Sequence, residues 1–375
     1  MVRVRLRSVG VEEELLLIGS ESGEPLSVSG AVLAEAERHG VGEEEGTFET
    51  ELMREQLEFS TKPVTEMGEL AEEIVRWRSE AARHAAKAGA EVAALATSPL
   101  PVLPSTSPGE RYRWVAERFG LTAQEQLTSG CHVHVGVDSD EEGVAVIDRI
   151  RPWLPVLTAI SGNSSFWQGQ DSGYGSYRSR VWNRWPSAGP TEIFGSADRY
   201  HEQVSAMVAT GVLRDKGMIY FDARLAANYP TVEIRVADVC LEPSTTVLLA
   251  SLVRGLVETA ARAWEAGEPP ARIGVGLLRL ASWRAARSGI DGPLVHPATM
   301  LEAPARDVVD ALFEHVREAL EDHGDATAVR RGIEELFARG NGARVQRELL
   351  RATGDLGAVV RECARITTSS APTTT

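Results

Sequence analysis

Three short stretches of this chain set chemically active side chains at a spacing of two. Gly10-Val11-Glu12-Glu13-Glu14-Leu15 carries Glu12 and Glu14, and Cys131-His132-Val133-His134-Val135 carries two histidines between apolar neighbours. Thr231-Val232-Glu233-Ile234-Arg235-Val236 carries Glu233 and Arg235. Strand side chains alternate between faces, so in each stretch the polar pair points one way and the aliphatics the other. An antiparallel sheet with one face in a core and the other lining a cleft would show this pattern. The ordinary reading, a solvated strand face, serves for one such stretch and less well for three. In a fourth stretch, Glu51-Leu52-Met53-Arg54-Glu55-Gln56-Leu57-Glu58-Phe59, Glu58 sits in an apolar run where a lone carboxylate would be costly. Glu51 and Glu55 read equally well as surface acids.

Carboxylates joined by an imidazole suit Mg²⁺ or Mn²⁺, which prefer oxygen ligands and tolerate nitrogen. Converging carboxylates repel one another unless a cation lies between them. No GxxxxGK[ST] or GxGxxG is present, so phosphate would be held by metal and arginines rather than by a glycine cradle. Tyr177-Arg178-Ser179-Arg180-Val181-Trp182-Asn183-Arg184-Trp185 supplies guanidinium forks that could clamp an anionic substrate. The rival chemistry is a zinc hydrolase built on His132 and His134, which would need a third ligand. His39, His84, His201, His296, His315 and His323 form no motif with that pair, and four of them fall on helices expected to be exposed.

Positioning these groups requires strands, which the pattern places at residues 1–18, 46–60, 92–96, 127–137 and, as two runs, 219–239. Helical spacing covers residues 65–90, closed by Gly89, then 141–160 and 198–210. Later it covers 245–266, 277–287, 305–322, 326–338 and 343–365. Residues 99–108 are too rich in proline for either element. Residues 161–190, rich in Gly, Ser and aromatics, read as a long functional loop. Strands come first and helices crowd the end, which favours α+β. One catalytic domain is expected over residues 1–365, with a flexible tail over 366–375.

A net charge of −15, from 39 basic and 54 acidic residues, argues against a nucleic-acid binder. No apolar run is long enough to span a membrane, and the first residues lack a signal peptide's apolar stretch, so the cytoplasm is the expected location. The three cysteines form no CxxC pair; Cys131 and Cys240 read as small buried hydrophobes.

The chain resembles the glutamate–cysteine ligase type 2, or YbdK-like carboxylate-amine ligase, family. The resemblance rests on GVEEEL at 10–15, ELMREQLEFST at 51–61, HVHVGV at 132–137 and SSFWQGQDSGYGSYRSRVWNRWPSAGP at 164–190. It continues with YPTVEIRVADVCLEP at 229–243 and SWRAARSGIDGPL at 282–294. It implies a glutamine-synthetase-like core, a curved antiparallel sheet holding divalent ions and ATP on its concave face, with helices packed on the convex face. Glu12, Glu14, Glu51, Glu58, His132 and Glu233 would then be metal ligands. Arg235, Arg178 and Arg184 would act on the transferred phosphate or substrate, and His134, Arg235 and Arg178 would contact the nucleotide. A further acidic ligand found in distant relatives has no match at Leu95-Ala96-Thr97-Ser98-Pro99. The implied activity is ATP- and Mg²⁺-dependent amide formation between a carboxylate, glutamate's γ-carboxylate, and an amine such as cysteine. A homodimer is implied as well.

Overall fold

The computed structural model describes residues 6–38 and 46–369. Strands β1 (Val9–Ile18), β2 (Gly46–Glu49), β3 (Gln56–Thr61), β4 (Glu91–Ala93) and β5 (Gly130–Gly136) come first. The ribbon β6 (Phe166–Trp167) and β7 (Gln170–Asp171) follows, then β8 (Ala223–Leu225), β9 (Thr231–Asp238) and a second ribbon, β10 (Leu294–Val295) and β11 (Glu302–Ala303). The helices are α1 (Ser29–Arg38), α2 (Met67–Lys87), α3 (Glu110–Phe119), α4 (Leu121–Gln124), α5 (Asp140–Ile150), α6 (Leu154–Ser161), α7 (Arg178–Trp182) and α8 (Ala197–Ala209). After them come α9 (Pro243–Glu265), α10 (Val275–Ser288), α11 (Ala305–His323), α12 (Ala326–Arg339), α13 (Gly342–Thr353) and α14 (Leu356–Thr367). Among the described residues no helix is long and apolar enough to cross a membrane.

The main sheet runs β2-β3-β1-β5-β9-β8, antiparallel throughout, with β4 also paired to β1. Period-two alternation divides β1 as expected. Leu15 and Leu17 join Leu57, Phe59 and Trp77 in one apolar cluster, while Val9 and Val11 join the larger core of α5, α9 and α11. Glu13 lies on this helix side too. It is fully buried and held by Arg78 of α2 through two 2.8 Å bonds, with Thr246 Oγ1 donating at 2.6 Å. Removing either partner of such a pair would strand a buried charge. The opposite face carries Glu12 and Glu14, then Leu16 and Ile18, which are covered by Val359, Val360 and Cys363 of α14. The apolar end of that face is thereby closed, and the polar end is left as a cleft.

The structure revises several expected boundaries. Residues 1–5 of the first expected strand, and His39, lie outside the described residues. The helix expected over 141–160 breaks after Ile150, and α6 restarts with Pro155 in its first turn. The helix expected over 343–365 is two, because Gly354 takes the left-handed conformation at φ 67° and Asp355 caps α14. Two short helices, α3 and α4, occupy a stretch to which the pattern gave no element. The tail expected from residue 366 does not start there: Ile366 and Thr367 finish α14, Thr367 is fully buried, and its Oγ1 accepts from Ala94 N at 2.8 Å. Residues 370–375 lie outside the described residues. His84, on a helix expected to be exposed, is fully buried.

Candidate active site

The open face of the sheet gathers side chains from four strands. The register sets Glu14 opposite Glu58 on β3 and Glu12 opposite His132 on β5, and His134 opposite Glu233 on β9. Strand alternation then points Glu12, Glu14, Glu58, His132, His134, Glu233 and Arg235 into one cleft. His132 Nδ1 lies 3.2 Å from Glu12 Oε2, and His134 Nε2 lies 3.2 Å from Glu12 Oε1. Two donor groups result, each with ligand atoms within 4.8 Å of one another: Glu12, Glu58 and His132, and Glu12, His134 and Glu233. No group among the described residues holds both histidines, so the HxH pair does not build a single zinc site.

The electrostatics fit a cation. Burial, then Glu51, pushes the Glu14 carboxyl up to about 7, against the opposing pull of Arg178 and the Gly130 N–H. Burial, then Glu51, Glu12 and Glu14, holds the Glu58 carboxyl well above the carboxylate range. Burial leads in both, and the mutual repulsion of crowded acids adds to it. Burial opposes ionisation of Glu12 as well, but its two imidazole partners outweigh it and hold that carboxyl low. Burial, then Arg235, pushes His132 down to about 4, so its ring is the neutral form that binds metal. Glu12 outweighs the effect of burial on His134 and raises it. The Nε2 atom of His132 is buried without a hydrogen-bond partner, 3.9 Å from Glu14 Oε1. Hard oxygens, a neutral imidazole and its orphaned ring nitrogen together suit a divalent cation.

Arginines frame the other side. Arg235 pairs with Glu233, and Arg224 grips the same carboxylate through Nε at 2.7 Å and Nη2 at 3.1 Å. Burial works against that carboxylate, yet Arg235, then Arg224, holds its pKa well below the usual range. Arg178 is 1% exposed, and its guanidinium makes no hydrogen bond or ion pair among the described residues. The Trp182 ring lies 5.5 Å from Arg178 and 5.6 Å from Arg235. Gly130 makes room for Arg178, since a Cβ there would come within 2.2 Å of Nη2. The long loop that carries Arg178 is pinned by Asp238, which accepts from Asn163 N at 2.9 Å, Ser164 Oγ at 2.6 Å and Ser176 Oγ at 2.7 Å. Arg178 and Arg235 line a cavity of about 270 Å³ that reaches Asp222, Arg279 and Trp283.

Not every expected residue arrives. Arg184 is exposed and paired with Glu125, away from the cleft, because α7 turns it from Arg178. Arg180 lines the cavity in its place. Glu55, read as a surface acid, is 1% exposed and accepts from Ser27 Oγ at 2.5 Å and Ser105 N at 3.0 Å, a structural role. Glu51 stands at the rim, close enough to Glu14 and Glu58 to raise both, but it belongs to neither donor group. His134, expected at the nucleotide, belongs to the second donor group and sets Nδ1 3.0 Å from Thr231 Oγ1. Arg224, Asp222 and Arg279 were not foreseen. The first two alternate with Phe221, Ala223 and Leu225, a period-two signal spread over a strand of three residues.

Comparison with known proteins gives concordant matches. The profile of glutamate-cysteine ligase family 2 matches residues 8–363. A protein of Streptomyces avermitilis provisionally named glutamate–cysteine ligase 2-1 is 63% identical over 96% of this chain and 99% of its own length. One of Streptomyces coelicolor, provisionally named glutamate–cysteine ligase 2, is 61% identical over the same shares. Among solved structures, the glutamate–cysteine ligase of Francisella tularensis in complex with AMP superposes with a TM-score of 0.69 at 12% identity, covering 97% of this chain and 89% of that one. The bifunctional glutathione synthetase of Pasteurella multocida gives 0.67 at 14% identity, over 96% of this chain and 52% of that one. At such identities the structures show a shared fold.

Proposed function

Since the chain belongs to glutamate-cysteine ligase family 2 and is an ATP-dependent carboxylate-amine ligase, we propose that it joins the γ-carboxylate of glutamate to an amine, with Mg²⁺ held by the Glu/His cleft. The observation that carries this reading is the pair of donor groups sharing Glu12 beside the buried Arg178 guanidinium, whose Nε has no hydrogen-bond partner. Glu12, Glu58 and His132 would hold one cation, and Glu12, His134 and Glu233 a second. Mg²⁺ supplies Lewis-acid neutralisation of phosphate charge when bound. Arg235, anchored by Glu233, faces the terminal phosphate of ATP and offsets charge as it is transferred. Arg178 takes an oxygen of that phosphate or of the carboxylate that attacks it. The glutamate carboxylate attacks the γ-phosphorus, ADP departs, and the amine then displaces phosphate from the acyl phosphate. Positioning and fixed charge supply most of the rate. Trp182 and Trp283 line the cavity and would limit water there once substrates are bound, slowing hydrolysis of the intermediate.

The test is to incubate the protein with ATP, glutamate and a broad amine panel, with Mg²⁺ or with EDTA. Amine-dependent ADP release, a γ-glutamyl amide by mass spectrometry and loss of both in EDTA are expected. ADP release that no amine accelerates would count against ligation, and a product formed equally in EDTA would count against the metal.

A further inference from the structure

Helix α3 ties the two ends of the main sheet together while burying almost nothing of its own. The strand order begins at β2 and finishes at β8, and neighbouring residues of α3 bond beside each. Tyr112 Oη donates to Thr50 O, just past β2, at 2.7 Å. Arg111 pairs with Asp215, ahead of β8, and Glu110 accepts from Arg214 Nη2 at 3.0 Å. Along the sheet β2 and β8 lie five strand spacings apart, about 24 Å. Consecutive side chains can serve both ends only where the sheet curls and α3 crosses the mouth of the cleft. Charge gives the same placement. Burial, then Glu51 and after it Glu58, pushes the Tyr112 phenol up to about 12, so Tyr112 stands near the Glu58 end of the donor row. Burial raises the Tyr220 phenol against the pull of Arg235, then Arg111 and Arg224, so Arg111 stands near the Arg235 end.

What holds α3 in place is weak. Val115 is its one buried residue, and a helix of ten residues is marginal by itself. The pairs Arg111–Asp215 and Arg214–Glu110 are partly exposed, and such pairs contribute little each and less in salt. The two ends of the helix differ. At the C-terminal end the Phe119 ring meets Trp185 edge-on at 5.0 Å, and Arg118 Nη2 donates to Gly211 O at 3.3 Å. The N-terminal end has only the surface bonds of Glu110, Arg111 and Tyr112. Gly109 at φ 133° and Gly120 at φ 54° bracket the helix with backbone that glycine adopts freely. We propose that α3 is a strap that lifts at its Glu110–Tyr112 end to admit substrates and closes over them, keeping water from the activated intermediate. This rests on the ligase reading above, which supplies an intermediate that water destroys.

Two measurements test it. In hydrogen–deuterium exchange on wild type, the amides of residues 110–119 should exchange fast in the free protein. With Mg²⁺, ATP and glutamate they should slow by about tenfold or more, while β5 stays protected throughout. In assays without amine, Tyr112→Phe and Arg214→Glu should release ADP in the presence of glutamate about tenfold faster than wild type, because water reaches the intermediate. Adding Glu110→Arg to Arg214→Glu restores that pair in reverse and should recover most of the coupling. A merely structural role would lower the melting temperature without moving the ratio of ADP to amide. Exchange that substrates leave unchanged, in a protein that turns over ATP, overturns the strap and spares the ligation. Folded variants with wild-type ADP release do the same. Slowed exchange without any ADP release leaves the strap standing and sinks the ligation. Thermal melting identifies a misfolded variant, and the wild-type exchange decides without one.

Discussion

Arg178 is buried with no hydrogen-bond partner for its guanidinium among the described residues, and Asp238 and Glu14 act on it only through their charge. A buried guanidinium without an oxygen partner destabilises the fold, whereas the same group facing a phosphate or carboxylate is a strong clamp. Arg178→Met should therefore lower turnover by about 10²-fold while leaving the thermal midpoint equal or higher, read by melting and ADP release on the same preparation. Asp222 makes a second prediction, about pH. Its folded pKa of about 7 lies above its unfolded value, so the folded state binds the proton more tightly. Its contribution to stability is complete near pH 4 and is lost as pH rises through 7. Asp222→Asn lacks that loss, so denaturation at several pH values should show the variant gaining on wild type between pH 4 and 7. Both residues show the limits of sequence. Arg178 was visible as one of three arginines in a loop, but only the short helix α7 decides that it turns inward while Arg184 turns out.

Among the elements, the segment from residue 162 to 190 does most to position chemistry with least regular structure. Asp238, at the end of β9, accepts one backbone and two hydroxyl donors from it, so one carboxylate ties the loop to the strand that carries Glu233 and Arg235. Asp238→Asn should weaken all three bonds at once, costing about 2–4 kcal/mol in chemical denaturation and lowering turnover through Arg178. Wild-type turnover in that variant would show that the loop holds Arg178 without this anchor. The strands were legible because alternation is a strong signal: Glu12 and Glu14 separate from Glu13 by period alone. The break between α13 and α14 was equally present in the letters, since Gly354-Asp355 is a stop followed by a cap. It was overridden by the apolar period running through it. Residues 109–126 gave weaker cues, because α3 buries only Val115.

Over the whole molecule, the α+β arrangement and the convergence of four strands on one cleft follow from strand pattern and family likeness, and the sheet order had to come from the structure. Sequence could not say that β1 is central, with β3, β4 and β5 all paired to it. Nor could it say that the sheet's two faces are managed by different means. On one face acid meets arginine and is silenced, as Glu13 is by Arg78. On the other, Glu233 alone meets arginines directly, while Glu12, Glu14 and Glu58 crowd together.

The lock between Thr367 and Ala94 bears on how the protein is made. β4 is paired to β1 near one end of the chain, yet its Ala94 amide is satisfied only by a hydroxyl 273 residues further on. The amide is covered, and the lid of α14 can settle, only once Thr367 has left the ribosome. A nascent chain therefore carries an uncovered β4 until α14 has emerged, and a chain cut before the last turn of α14 leaves the Ala94 amide without this partner.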